Sequence, residues 1–195
     1  MLRRIKKEIR ILGIDDAPFD KTKKKRKVLV VGTVFRGGEF LDGVLSTKIT
    51  QDGKDSTSQL VKIIKKSRHL QQLQCIMLDG IALGGFNVVD INELLEKTNL
   101  PVIVIMRKLP NMKEIEDALK LIHQESKMDL IKKAGKIYRL KINGKNIYFQ
   151  KAGINEELVE KIIKTSTTHS LIPEPLRISH LIATGIVLGE SRGRA

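Results

Sequence analysis

Tryptophan is absent from the chain, cysteine occurs once, and two tyrosines and five phenylalanines complete an aromatic fraction of 4%. A single thiol cannot close an internal disulfide, so the fold must be held by its core alone. Cys75, in the apolar run QCIMLD, reads as a small core residue. So few aromatics leave few platforms for stacked bases; Phe86 and Tyr148 are the candidates, each better suited to packing. No apolar run approaches the roughly 20 residues needed to span a bilayer. The basic start MLRRIKKEIRIL lacks the apolar core and cleavage site of a signal peptide, which makes the cytoplasm the expected compartment. Neither a G-x-x-x-x-G-K-[ST] loop nor a G-x-G-x-x-G fingerprint occurs, so triphosphate or dinucleotide binding has no support.

What is present in quantity is positive charge: 36 Lys and Arg against 22 Asp and Glu, a formal net of +14 over 195 residues. That length suits a single domain, 1–195, with a buried core. The surplus favours a polyanionic partner, either nucleic acid or an acidic membrane surface.

Ile11 to Ile14 reads as a first strand ending in Asp15 and Asp16, followed by the basic connection KTKKKRK. Val28 to Phe35 is nearly continuous in apolar residues, as expected of a strand buried on both faces. The Gly37-Gly38 turn should pair it with Phe40 to Thr47 as a hairpin. An amphipathic helix is predicted from Ser56 to about Arg68, with Asp55 at its N-cap position. Cys75 to Leu78 and Val102 to Met106 are further strands, separated by a Gly84-Gly85 loop and a helix through Glu93 to Lys97. Helices are predicted over about 113–127 and 155–164 and near 175–188, with an inserted Asn143-Gly144 hairpin near 136–150. The sum is a mixed α/β sheet, an antiparallel three-strand meander continued by parallel strands with covering helices.

Asp15 ends the first strand, Asp79 ends the fourth, and Asp55 opens the helix between them. In α/β sheets ligands bind beyond the carboxyl ends of strands at a switch in strand order, where the first and fourth strands would be neighbours. Acids gathered there repel one another unless a cation neutralises them, and Mg²⁺ or Mn²⁺ takes oxygen ligands. Such a centre hydrolyses phosphodiesters. The spacing leaves open whether Asp55, Asp52 or Asp16 completes the acidic set, and Asp-Gly is also a common turn.

LGIDDAP after a basic start, LDGIALGGFNVVDI, and the late LIPEPLRISH resemble segments of endonuclease V, and over roughly Arg10 to His180 the chain is still more similar to the archaeal endonuclease dU family. The resemblance implies an RNase H-like fold with helices on both faces of the mixed sheet. It also implies a Mg²⁺- or Mn²⁺-dependent endodeoxyribonuclease acting on damaged DNA, at or near deoxyuridine. Asp15, Asp55 and Asp79 would be the catalytic, metal-ligating acids, with His180 from the last helix. Lys108 or Arg107, just past the fifth strand, would be the basic group, Lys108 taken as catalytic and Arg107 as a DNA contact. Two departures stand out. Lys48-Ile49-Thr50-Gln51 occupies the place of the aromatic Tyr-Ile-Pro-Gly wedge, and Ile81 follows Gly80 where endonuclease V has a histidine.

Contacts to nucleic acid are further assigned to Lys23, Lys24, Lys25 and Arg26 in the basic connection, to Gly80, Gly84 and Gly85, and to Arg177. Arg177 fits an ion pair at the start of the last helix equally well. His69, His123 and His169 lack metal-ligand spacing and read as solvated or hydrogen-bonded. Two rival functions remain: a catalytically inactive nucleic-acid-binding module, or a receiver-like phosphoryl acceptor built on Asp15-Asp16, Asp79 and Lys108.

Overall fold

The computed structural model describes residues 5–20, 22 and 26–192; Lys23, Lys24 and Lys25 lie outside them. The first three strands, β1 (Arg10–Asp16), β2 (Lys27–Arg36) and β3 (Phe40–Thr50), form the expected antiparallel meander. After α1 (Ser56–Lys66) and a short 3-10 turn, β4 (Cys75–Asp79) runs parallel to β1. A small hairpin, β5 (Ala82–Leu83) with β6 (Asn87–Val88), then leads into α2 (Ile91–Thr98). Strand β7 (Val102–Met106) lies parallel to β4.

The helix predicted over 113–127 is two helices, α3 (Met112–Leu121) and α4 (Lys127–Lys133). His123 between them adopts φ +55°, which no α-helix accommodates. The Lys127 ammonium turns inward to donate to the Asp52 and Gly53 carbonyls at 2.8 and 2.7 Å, and to that of Phe86. The hairpin β8 (Tyr138–Ile142) and β9 (Lys145–Ala152) turns on Asn143 and Gly144, both at positive φ, as a two-residue turn demands. It belongs to the main sheet, because β9 pairs antiparallel with β7. Helices α5 (Glu156–Ser166) and α6 (Glu174–Leu188) complete the chain, and the seven-stranded order is β3-β2-β1-β4-β7-β9-β8.

Successive strand residues face opposite sides, and that alternation divides the core. Leu12, Ile14, Ile76, Leu78, Val102 and Val104 pack against α1 and α2 through Leu60, Ile64, Ile91 and Leu94. Ile11, Cys75, Met77, Ile103 and Ile105 pack against α5 and α6 through Val159, Ile162, Ile163 and Leu176. Helices therefore cover both faces, and Cys75 is a buried core residue. No helix among the described residues is long and apolar enough to cross a membrane.

Candidate active site

The parallel register pairs Ile14 with Leu78, so the next residues, Asp15 and Asp79, stand side by side on strands ~4.8 Å apart. By strand alternation both project toward the face covered by α6. That helix is drawn onto the sheet at Gly13, where a Cβ would lie 2.4 Å from the Pro175 carbonyl carbon. The Thr33 hydroxyl donates to the Pro175 carbonyl at 2.6 Å and the buried Ser179 hydroxyl to that of Gly13 at 2.8 Å. With the first turn pinned there, His180 meets the acid two residues along β1, its Nδ1 2.9 Å from Asp15 Oδ2. The Gly-x-Asp and Pro-Glu-Pro-x-Arg-x-x-His segments are thus the two halves of one joint.

Burial and the neighbouring Asp15 charge push the Asp79 carboxyl up to about 6, against the opposing pull of Arg107 and His180. Arg107 reaches Asp79 Oδ2 at 3.1 Å. Asp79 pairs with Ile105, and Arg107, two positions on, shares that face whereas Lys108 does not. The side chain that reaches the acids is therefore that of Arg107, and Lys108 is exposed. The hydrogen bond to Asp15 raises the affinity of His180 for its proton against the cost of burial, and the Asp15 and Asp79 charges act in the same direction. Its Nε2 is buried and bonds to no group among the described residues.

The third acid close to this pair is Asp16. Burial, then the Asp15 charge, push its carboxyl up to about 7, with Asp79 adding to the rise and the Gly84 N–H opposing it. The signal for it was the acid doublet at a strand end, with one member on each face of the sheet.

Asp55 is not brought to them. It precedes α1 without capping it, and instead accepts the Thr50 N–H at 2.9 Å, the Thr50 hydroxyl at 2.9 Å, the Asn87 amide at 2.7 Å and the Lys27 ammonium at 3.3 Å. Burial alone would raise this carboxyl, but the four donors outweigh it and hold it at about 2. Thr50 pairs with Lys27, four positions beyond Val31, the partner of Asp15, which is about 13 Å along β2. Asp52 is likewise structural, accepting the Phe86 N–H at 2.8 Å and donating its own N–H to the Gly84 carbonyl.

Gly80, Gly84 and Gly85 all take positive φ. A Cβ on Gly85 would come within 2.3 Å of Asp52 Oδ1, so the glycine pair first of all closes this loop junction. Arg26 is exposed, and its carbonyl accepts the Gln51 N–H. The Arg177 guanidinium donates twice, at 2.9 and 2.7 Å, to Oε2 of the buried Glu174, which also accepts the His169 N–H. It is tied into the start of the helix.

Among the described residues no group of three or more His, Cys, Asp and Glu is arranged to cage a metal ion. Mg²⁺ needs no such cage, since it binds through one or two carboxylates and completes its shell with waters and substrate phosphates. The Asp15–Asp79 pair offers those carboxylates, each held by a single basic side chain, His180 or Arg107.

A receiver domain needs an all-parallel sheet, which the antiparallel β1–β2 and β2–β3 pairs exclude. The mixed sheet with its helices has instead the RNase H-like fold of endonuclease V. A crystal structure of Ciona intestinalis endonuclease V, in complex with a 24mer DNA containing an inosine followed by a ribo-adenosine, matches with TM-score 0.55 at 17% identity, covering 88% of this chain and 82% of that one. More particularly, residues 7–187 match the model of the endonuclease dU family, and the chain belongs to that family. A UPF0215 protein of Methanosarcina mazei is 58% identical over 98% of this chain and 97% of its own. The crystal structure of a protein of unknown function from Archaeoglobus fulgidus matches with TM-score 0.82 at 41% identity, over 92% of this chain and 98% of that one.

Proposed function

We propose that the protein is a Mg²⁺- or Mn²⁺-dependent endonuclease that hydrolyses phosphodiester bonds in damaged DNA, at or near deoxyuridine. The observation that carries this reading is the in-register pair Asp15 and Asp79, one carboxylate on His180 and the other on Arg107. Family membership supports the nuclease activity and the choice of deoxyuridine. The net charge of +14 suits DNA.

Asp15 and Asp79 would hold the cation, with Asp16 in reserve on the opposite face of β1. The chemistry a divalent ion would supply there is activation of water and neutralisation of charge developing on the phosphate. Arg107, which reaches Asp79, would bind a non-bridging phosphate oxygen. His180, whose hold on its proton the hydrogen bond to Asp15 strengthens, would stand beside the scissile group. Asp55 is assigned to holding the β3–α1 turn that frames the site. Without an aromatic side chain in the stretch 48–51, strand separation at a lesion falls to other parts of the surface.

Incubation with Mg²⁺ or Mn²⁺ and duplex or single-stranded DNA carrying one uracil, one hypoxanthine or no lesion tests activity and specificity together. The expected result is metal-dependent nicking of the uracil strand, lost in Asp15→Asn. Tight, strongly salt-dependent binding without cleavage would establish the inactive binding module instead.

A further inference from the structure

Beyond the carboxylates, the two elements that build the site continue into a groove of about 590 Å³. The chain leaving Asp16 supplies Phe19, and α6, nearly two turns past His180, supplies Ile186 and Val187. Ala17, Val31 and Ala183 pack beneath, with Leu29 and Ile182, so the floor is continuous from the acids to the groove. From His180 to Ile186 the rise along the helix is about 9 Å, close enough for the neighbouring nucleotides of one strand.

The composition of the groove is unusual for a solvated surface. Ile186, Val187 and Leu188 are three successive apolar side chains, 65%, 46% and 48% exposed, where an amphipathic helix would carry polar groups. Arg26, Lys27 and Lys48 stand along the rim. Lys27 is already engaged by Asp55 and Thr50, which leaves Arg26 and Lys48 as its phosphate-facing cations. Asp20, the single carboxylate lining the groove among the described residues, accepts from the Thr22 hydroxyl and N–H.

We infer that this groove binds an unpaired DNA strand adjoining the cleavage site, with base faces against Phe19, Ile186 and Val187 and phosphates on Arg26 and Lys48. An apolar wall beside a cationic rim, continuous with a phosphodiester site, matches the two chemistries of a single strand. A paired duplex hides its base faces and would use the rim alone. In a chain so poor in aromatics, aliphatic side chains take the role that stacking rings fill elsewhere. The inference rests on the nuclease reading for its choice of DNA.

The test is fluorescence anisotropy of the full chain with labelled oligo(dT) and a blunt duplex of the same length, in EDTA so that nothing is cut. The Ile186→Ser/Val187→Ser double variant, altered only at exposed positions, should weaken oligo(dT) binding about tenfold and duplex binding less than twofold. Arg26→Ala/Lys48→Ala should weaken both and flatten the salt dependence by a slope of about 1–2. Oligo(dT) affinity unchanged by both variants overturns the inference. So does sedimentation showing a dimer that the serine variant dissociates while oligo(dT) binding is unaffected, since a second copy would then own the groove. Because binding is read without cleavage, failure of the nuclease reading leaves this readout intact, and cleavage combined with unaltered oligo(dT) binding sinks the groove alone.

Discussion

Two sets of acids stand near the same end of the sheet and have been treated oppositely by the fold. At the β3–α1 turn, Asp55 meets four donors and its carboxyl is held at about 2. At the ends of β1 and β4, Asp79 and Asp16 are half-buried beside Asp15 and pushed up to about 6 and about 7. A carboxylate whose lone pairs are filled by the protein strengthens the fold and has nothing left for a ligand. One with few donors that faces like charge weakens the fold, and keeps lone pairs for a cation or substrate. Residue type and position along the chain are similar in the two places; the supply of donors separates structure from chemistry.

The widest separation is expected in activity. Asp79→Asn should reduce metal-dependent nicking on the order of a thousandfold or more, as loss of a metal-binding carboxylate does, with circular dichroism unchanged. Asp55→Asn should leave turnover per folded molecule within about threefold. Loss of nicking by a folded Asp55→Asn protein would place that residue in the catalytic set and end the contrast.

Stability should invert the ranking. Asp55→Asn puts an amide where four donors converge, and chemical denaturation should show a loss of about 2–3 kcal/mol. Asp79→Asn and Asp16→Asn, measured without metal at pH 8, should be neutral or gain on the order of 1 kcal/mol, because each removes a charge the fold disfavours.

The dependence on pH carries the same opposition in sign. An acid raised in the folded state binds its proton more tightly there than in the unfolded chain. Asp16 and Asp79 therefore lend stability that is complete below about 4 and is lost as pH rises through about 6 to 7. Asp55, depressed to about 2, contributes stability present above about 4 and lost as pH falls toward 2. In metal-free buffer the advantage of Asp16→Asn over wild type should grow between pH 4 and 8, whereas the deficit of Asp55→Asn should shrink below pH 4; parallel curves would contradict the assignment.

The smallest effect expected lies on the basic side. Arg107→Ala should cost about tenfold in turnover through loss of a charged contact to the phosphate, while Lys108→Ala should change it less than twofold. The reverse order would mean that the chain past β7 reorients when DNA binds.

Alternating and continuous apolar runs, the Gly37-Gly38 and Asn143-Gly144 turns, and the acids at strand ends made the mixed sheet, its meander and the adjacency of β1 and β4 legible in the sequence, because each is a local pattern read within a few residues. That Asp15, Asp79 and His180 would meet was foreshadowed in the same way, since each sits in a short motif at or near an element end. What the chain order could not settle was which neighbours each side chain would find. Asp55 lies between two catalytic-looking acids in sequence, yet Lys27, Thr50 and Asn87, contributed by three separate segments, take its oxygens. Arg107 was separated from Lys108 by the β4–β7 register, Lys127 was turned inward by carbonyls 74 and more positions away in sequence for Asp52 and Gly53, and the apolar end of α6 became one wall of a groove only when it crossed β2. Local patterns fix elements and their ends; the supply of hydrogen-bond donors and counter-charges, which decides whether a carboxylate is spent or available, is a property of contacts distant in sequence and exists only once the chain has folded.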